Sequence, residues 1–140
     1  MNTQLMYNIT LITFGVIIGL AFVLLILALF KKRSKNDNYY KDKWREIQKM
    51  LSNKNNWDSA VLAADCLLDE CLKKHHFKGK SMGERLVSAQ REINNNELVW
   101  FSHKLKNSIM NDGIHANKTE TKKSLLGIWS ALKDLGAFNS

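Results

Sequence analysis

Residues Ile9 to Phe30 read ITLITFGVIIGLAFVLLILALF, without one charged side chain. As a helix rising ~1.5 Å per residue this run reaches ~33 Å, enough to cross a hydrocarbon core of ~30 Å with slight tilt. Lipid offers the backbone no hydrogen-bond partner, so a lone apolar run of this length is expected to be helical. The alternative is a helix buried in a soluble protein, which needs a surrounding core that so small a chain does not supply. The expected fold class is all-α: an N-terminal single transmembrane helix over 9–30, then a small cytoplasmic bundle of four to five helices.

The flanks give the run a direction. Residues 1–8, MNTQLMYN, contain no Lys or Arg, whereas Lys31, Lys32, Arg33 and Lys35 follow it closely. The positive-inside rule then puts the short N-terminus outside the cell membrane and the C-terminal domain in the cytoplasm. A cleaved signal peptide would show a basic start, a shorter apolar region and a small-residue cleavage site, and none is present. The four cations are candidate contacts for lipid headgroups, each gaining ~1 kcal/mol near an anionic surface. Gly15 and Gly19 have the GxxxG spacing of a transmembrane dimer seam, although glycine is common in membrane helices for other reasons. Two glycosylation sequons, Asn8-Ile-Thr10 and Asn117-Lys-Thr119, are discounted, the first for hugging the membrane and the second for its cytoplasmic side.

Composition narrows the rest. The formal net charge is +8, and the four juxtamembrane cations carry half of it. Beyond Asn36 stand 17 basic against 13 acidic residues, so the basic balance is more a topology signal than a nucleic-acid signal. After a basic linker over 31–38, residues 39–140 suffice for one small domain. The absence of Pro and the scarcity of Gly favour long helices. Cys66 and Cys71 form neither a CxxC motif nor a disulfide framework and are expected to be free buried thiols.

Taken in order, Ser34–Asn38 reads as a polar hinge. Tyr40, Trp44, Ile47 and Leu51 then form one apolar helical stripe. The Asn-rich run Ser52–Asn56 ends it and caps a helix from Trp57 to about His75, with Trp57, Val61, Ala64, Leu68, Cys71 and Leu72 on one inward face. Asp69 with Lys73 and Glu70 with Lys74 have favourable i,i+4 spacing. Phe77–Lys80 is a turn, and Ser81-Met-Gly-Glu84 has capping-box spacing, with Met82, Leu86, Ala89 and Ile93 inward. A helix from Glu97 to Met110 should bury Leu98, Phe101, Leu105 and Ile109, leaving Trp100, His103, Lys104, Asn107 and Asn111 on a polar face. Asn111-Asp-Gly113 is a turn, and Thr119 opens a last helix with Leu125, Ile128, Trp129, Leu132 and Leu135 inward. Gly136 suits its C′ position.

Catalytic signatures are sparse. The sequence has no P-loop, Rossmann glycine pattern, HExxH or nucleophile elbow. His75 and His76 project apart, which makes them poor joint metal ligands, and neither a metal nor a cofactor is expected. Asp65 and Asp69 share a helix face and are candidate binding carboxylates, or partners for cations on a neighbouring helix. His103, Lys106 and Asn107 are the remaining candidate binding residues, for a phosphate, nucleotide or RNA segment; the alternative is an interhelical cluster with Asp65 or Asp69.

Three stretches, Ala63–Glu70 (AADCLLDE), Gly79–Leu86 (GKSMGERL) and Trp100–Asn111 (WFSHKLKNSIMN), carry a resemblance. Over roughly Trp44–Phe138 the chain resembles membrane-anchored bacterial relatives of the HEPN (higher eukaryotes and prokaryotes nucleotide-binding) bundle. Active HEPN ribonucleases pair an Arg with a His a few residues later, and the matching positions here are Lys106 and Asn111. Lys loses the bidentate grip on phosphate, and Asn cannot transfer protons near neutral pH. His115 lies beyond the usual spacing. The resemblance thus implies the bundle with a degenerate catalytic motif. The expected function is a non-enzymatic, membrane-anchored interaction domain with a protein partner or a second copy. The alternatives are an RNA- or nucleotide-binding effector and a small subunit of a larger membrane complex.

Overall fold

The computed structural model describes residues 2–138, without the side chains of residues 5 and 30–37. Five α-helices are described: α1 (Thr3–Met50), α2 (Trp57–Lys74), α3 (Met82–Ala89), α4 (Asn96–Asp112) and α5 (Lys118–Asp134), with a 3-10 turn at Lys54–Asn56. There is no strand among the described residues, and the fold is all-α. The chain divides into two compact units, Met1–Asn36 and Asp37–Ser140.

In the first unit, Met6–Leu29 is a helix of 24 residues, apolar enough to cross a membrane, with none of its side chains buried. Large side chains such as Ile12, Phe14, Ile17 and Phe22 are each more than 60% exposed, which water would penalise at about 25 cal/mol per Å² of apolar surface. Gly15 and Gly19 have open space where a Cβ would stand, so nothing in the chain itself requires glycine at either position. The side chains of Lys31, Lys32, Arg33 and Lys35 lie outside the described residues. The hinge expected at Ser34–Asn38 is not a break in secondary structure: α1 runs through it. No Pro or Gly stands in that stretch to stop the i→i−4 ladder.

The second unit closes its own core. Tyr40, Trp44 and Ile47 of α1 meet a core that includes Val61, Leu68 and Leu72 of α2, Leu86 of α3, Val99 of α4, and Ile128 and Leu132 of α5. Helix α5 packs against both α4 and α2. Ser81 opens α3 by accepting from the Glu84 N–H at 3.2 Å, and the Glu84 carboxylate accepts from the Lys80 N–H at 2.8 Å. The helix stops at Ala89, earlier than the apolar spacing suggests, and Ile93 is buried from the turn beyond it. Gly113 closes α4 in the left-handed conformation at φ 67°, where its N–H reaches the Ser108 carbonyl.

Four local readings are corrected. The cap of α5 is Asn117, not Thr119: Asn117 Oδ1 accepts from the Glu120 N–H at 3.0 Å, and the Glu120 carboxylate accepts from the Asn117 N–H at 3.0 Å. The buried stripe of α4 is Val99, Ser102 and Leu105, with Leu98, Phe101 and Ile109 only half-buried. Ser102 is inside because its hydroxyl pairs with Ser124 of α5 at 2.5 Å, in a seam where the Gly127 backbone lies against Leu98. Glu70 turns to the Tyr39 hydroxyl at 2.9 Å instead of Lys74, which lies over the Tyr40 ring. Cys71 is buried, which pushes its thiol up to about 11, whereas Cys66 is exposed, on the open groove between α1 and α2.

Candidate functional site

Helices α2 and α4 bring four of the candidate residues together. Asp65 faces inward from α2 and is only 2% exposed. His103, one turn before Lys106 on α4, places Nδ1 3.1 Å from Asp65 Oδ1. The Lys106 ammonium lies 3.9 Å from the other Asp65 oxygen and donates to Asn107 Oδ1 at 3.4 Å. Both oxygens of the buried carboxylate thus face a nitrogen of α4, and the group ties the two helices. Trp100 stands edge-on to His103 with ring centres 6.0 Å apart. Above the imidazole runs the first turn of α3, where a Cβ on Gly83 would come 3.7 Å from His103 Nε2.

Asp69 does not join this group. One turn further along α2 it points to α3, where Arg85 Nε donates to Asp69 Oδ1 at 2.7 Å and Arg85 Nη2 lies 2.6 Å from the same oxygen. Lys73 reaches its second oxygen at 2.7 Å. Burial alone would raise the Asp69 carboxyl. The hydrogen bonds and charges of Lys73 and Arg85 outweigh it and hold the group below its ordinary value. The two aspartates therefore act separately, each on its own neighbouring helix.

Two arrangements escaped the sequence reading. Arg85 is 7% exposed, and its remaining donor, Nη1, holds the Gly79 carbonyl at 2.8 Å. The signal for it was available, since an Arg between Met82 and Leu86 on a buried stripe needs a carboxylate within reach. Asp58, at the start of α2, accepts from the Ala116 N–H at 2.8 Å and lies 2.6 Å from His115 Nδ1. Burial would raise Asp58, but the bonds from His115 and Ala116 prevail and lower it. This contact spans 57 residues of sequence, and no local spacing announces it. His115 is thereby engaged with Asp58 in the α4–α5 loop, and Asn111 is exposed near the end of α4.

Chemically, a buried carboxylate holding an imidazole is a way to orient a base. Here the third member is a cation directed at the same carboxylate. Among the described residues no group of three His, Cys, Asp or Glu side chains could hold a metal ion, and every buried side-chain nitrogen and oxygen has a partner. Elsewhere, an open groove of about 340 Å³ runs between α1 and α5, lined by Trp44, Leu51, Leu126 and Trp129 among others. A smaller one of about 240 Å³, between α1 and α2, contains Cys66 and Glu70. Comparison with protein-family models, curated proteins and solved structures finds no match to this chain.

Proposed function

We propose that this protein is a single-pass membrane anchor that holds a non-catalytic helical interaction domain on the cytoplasmic face. The observation that carries the reading is the 24-residue apolar helix with no side chain buried, joined to a unit that completes its own core without it. A bilayer is the solvent that such a surface requires. The basic residues after the span favour a cytoplasmic bundle. The non-catalytic part draws support from the Asp65 cluster, whose polar atoms are directed at one another. Interaction draws support from Leu126 and Trp129, exposed beside the α1–α5 groove.

Cys66 gives a direct test because it is exposed and Cys71 is not. In sealed cells an impermeant maleimide should leave Cys66 unmodified until the membrane is opened; labelling of intact cells would reverse the orientation. Turnover by the reconstituted full-length chain that His103→Ala or Lys106→Ala abolishes would overturn the non-catalytic reading. Salt-sensitive RNA binding lost on joint replacement of His103, Lys106 and Asn107 would move the assignment to a nucleic-acid effector of the HEPN kind. In-membrane crosslinking with identification of the bound chains separates a single partner or second copy from membership of a larger complex.

A further inference from the structure

The turn after α2 carries charge that the fold leaves unused. Residues Lys73–Lys80 read KKHHFKGK, with no carboxylate among them. Lys73 is taken up by Asp69, and Lys74 lies 5.4 Å from the centre of the Tyr40 ring. Lys78 and Lys80 are exposed, and among the described residues neither has an ion-pair partner. The nearby carboxylates are engaged by other partners: Asp69 holds Arg85, Glu70 accepts from the Tyr39 hydroxyl, and Glu84 accepts from the Lys80 backbone N–H.

The turn is also a fixed shape. His76 adopts φ 61°, while the Phe77 N–H returns to the Leu72 carbonyl at 3.1 Å. Arg85 grips the Gly79 carbonyl, and a Cβ on Gly79 would come 2.7 Å from the Arg85 backbone nitrogen. The lysine stems therefore start from a pinned backbone, so less ordering entropy is lost when their ammonium groups are engaged.

Its place within the bundle completes the argument. The contacts of Tyr40 with Lys74 and of Tyr39 with Glu70 put this turn at the end of the bundle that α1 enters. Tyr40 follows Leu29 by about eleven residues, so even a fully extended chain at ~3.5 Å per residue keeps it within ~40 Å of the apolar span. A tether of that length holds a group at high effective concentration near whatever surface the span occupies.

We propose that the turn Lys73–Lys80 is a second contact for the anionic headgroups of the membrane, built by the fold rather than by adjacency to the span. The proposal rests on the anchor reading above. Its probe is the full-length chain reconstituted into vesicles of phosphatidylcholine alone, or of phosphatidylcholine with phosphatidylserine. The readout is the rate at which acetic anhydride acylates each lysine, measured by mass spectrometry. Lys122 of α5, at the end of the bundle near Asn117, serves as the internal reference. At low salt Lys78 and Lys80 should react roughly fivefold more slowly on the phosphatidylserine vesicles than on the neutral ones, and high salt should restore the rate.

Equal rates on both vesicles, from protein that floats with them, would overturn the headgroup contact and leave the anchor standing. Failure to float with either vesicle would overturn both. Protection of the same lysines by added RNA on neutral vesicles, without protection by phosphatidylserine, would overturn the lipid assignment and give the turn to nucleic acid.

Discussion

Replacing Gly127 with Ala sets two physical effects against each other. In a helix interior the change favours folding by about 1 kcal/mol, because Ala loses less backbone entropy than Gly. At this position the new Cβ would stand 2.7 Å from the Leu98 carbonyl oxygen, 2.8 Å from its carbonyl carbon and 2.9 Å from its Cβ. Comfortable contact needs about 3.5–4 Å. Two of those three atoms are backbone and cannot rotate away, so α4 and α5 must part. Overpacking of this kind costs about 1–3 kcal/mol. Parting the helices also strains the buried Ser102–Ser124 hydrogen bond, worth another ~1 kcal/mol. The balance is a net loss of about 1–3 kcal/mol, or a fall in Tm of roughly 5–15 °C for a unit of this size. Gly83→Ala is the control: its Cβ would meet His103, Ser81 and Trp100 at 3.7 to 3.9 Å. That variant should be unchanged, or more stable by up to about 1 kcal/mol. Thermal and urea unfolding of the full-length proteins in one detergent, followed by circular dichroism, gives both numbers. A Gly127→Ala protein as stable as its parent would refute the close approach of α4 and α5.

Other expectations follow from the same contacts. Asp69→Asn leaves Arg85 buried without its carboxylate and should cost about 2–4 kcal/mol in urea unfolding, less than for a fully buried pair because Asp69 keeps some exposure. Asp58 and Asp69 are both held below the ordinary carboxyl value of 3.8. A depressed carboxyl contributes its stability above that value and loses it as pH falls through the folded one. The unfolding midpoint should therefore be level from neutral pH to about 5 and decline below about 4, with a shallower decline when both are Asn; an unchanged slope would contradict the assignment. Gly15→Leu with Gly19→Leu should leave the unfolding of the bundle unaltered, since both sites are open. If those glycines form the dimer seam, energy transfer between labelled copies in vesicles should fall; unaltered transfer would remove the seam.

The helices were legible because their apolar residues recur at helical spacing and because Gly, Asn and Ser punctuate them. The stripe of Val61, Ala64, Leu68 and Leu72 needed nothing else, and all four are buried. The register of α4 was harder. A hydropathy pattern selects Leu98 and Phe101, but close approach to α5 rewards Ser102 for being small and able to pair with Ser124. The polar stretch Ser34–Asn38 marks the boundary between the two compact units but does not end the helix, since no Pro or Gly stands in it. Within the candidate site the types of residue were visible while their pairing was not. Asp65 and Asp69 look alike in sequence, yet a step of one helical turn along α2 puts one against His103 and the other against Arg85. The clamp of Asp58 on His115 and Ala116 depends on how loops meet in three dimensions and left no local signal.

The central claim is that residues Met6–Leu29 have a bilayer as their solvent. Flotation of the full-length chain on a density gradient after alkaline extraction of vesicles tests it most directly. The protein should rise with the lipid fraction and, once detergent is removed without lipid, aggregate. Recovery in the alkaline supernatant, as a monodisperse species in detergent-free buffer, would contradict the account.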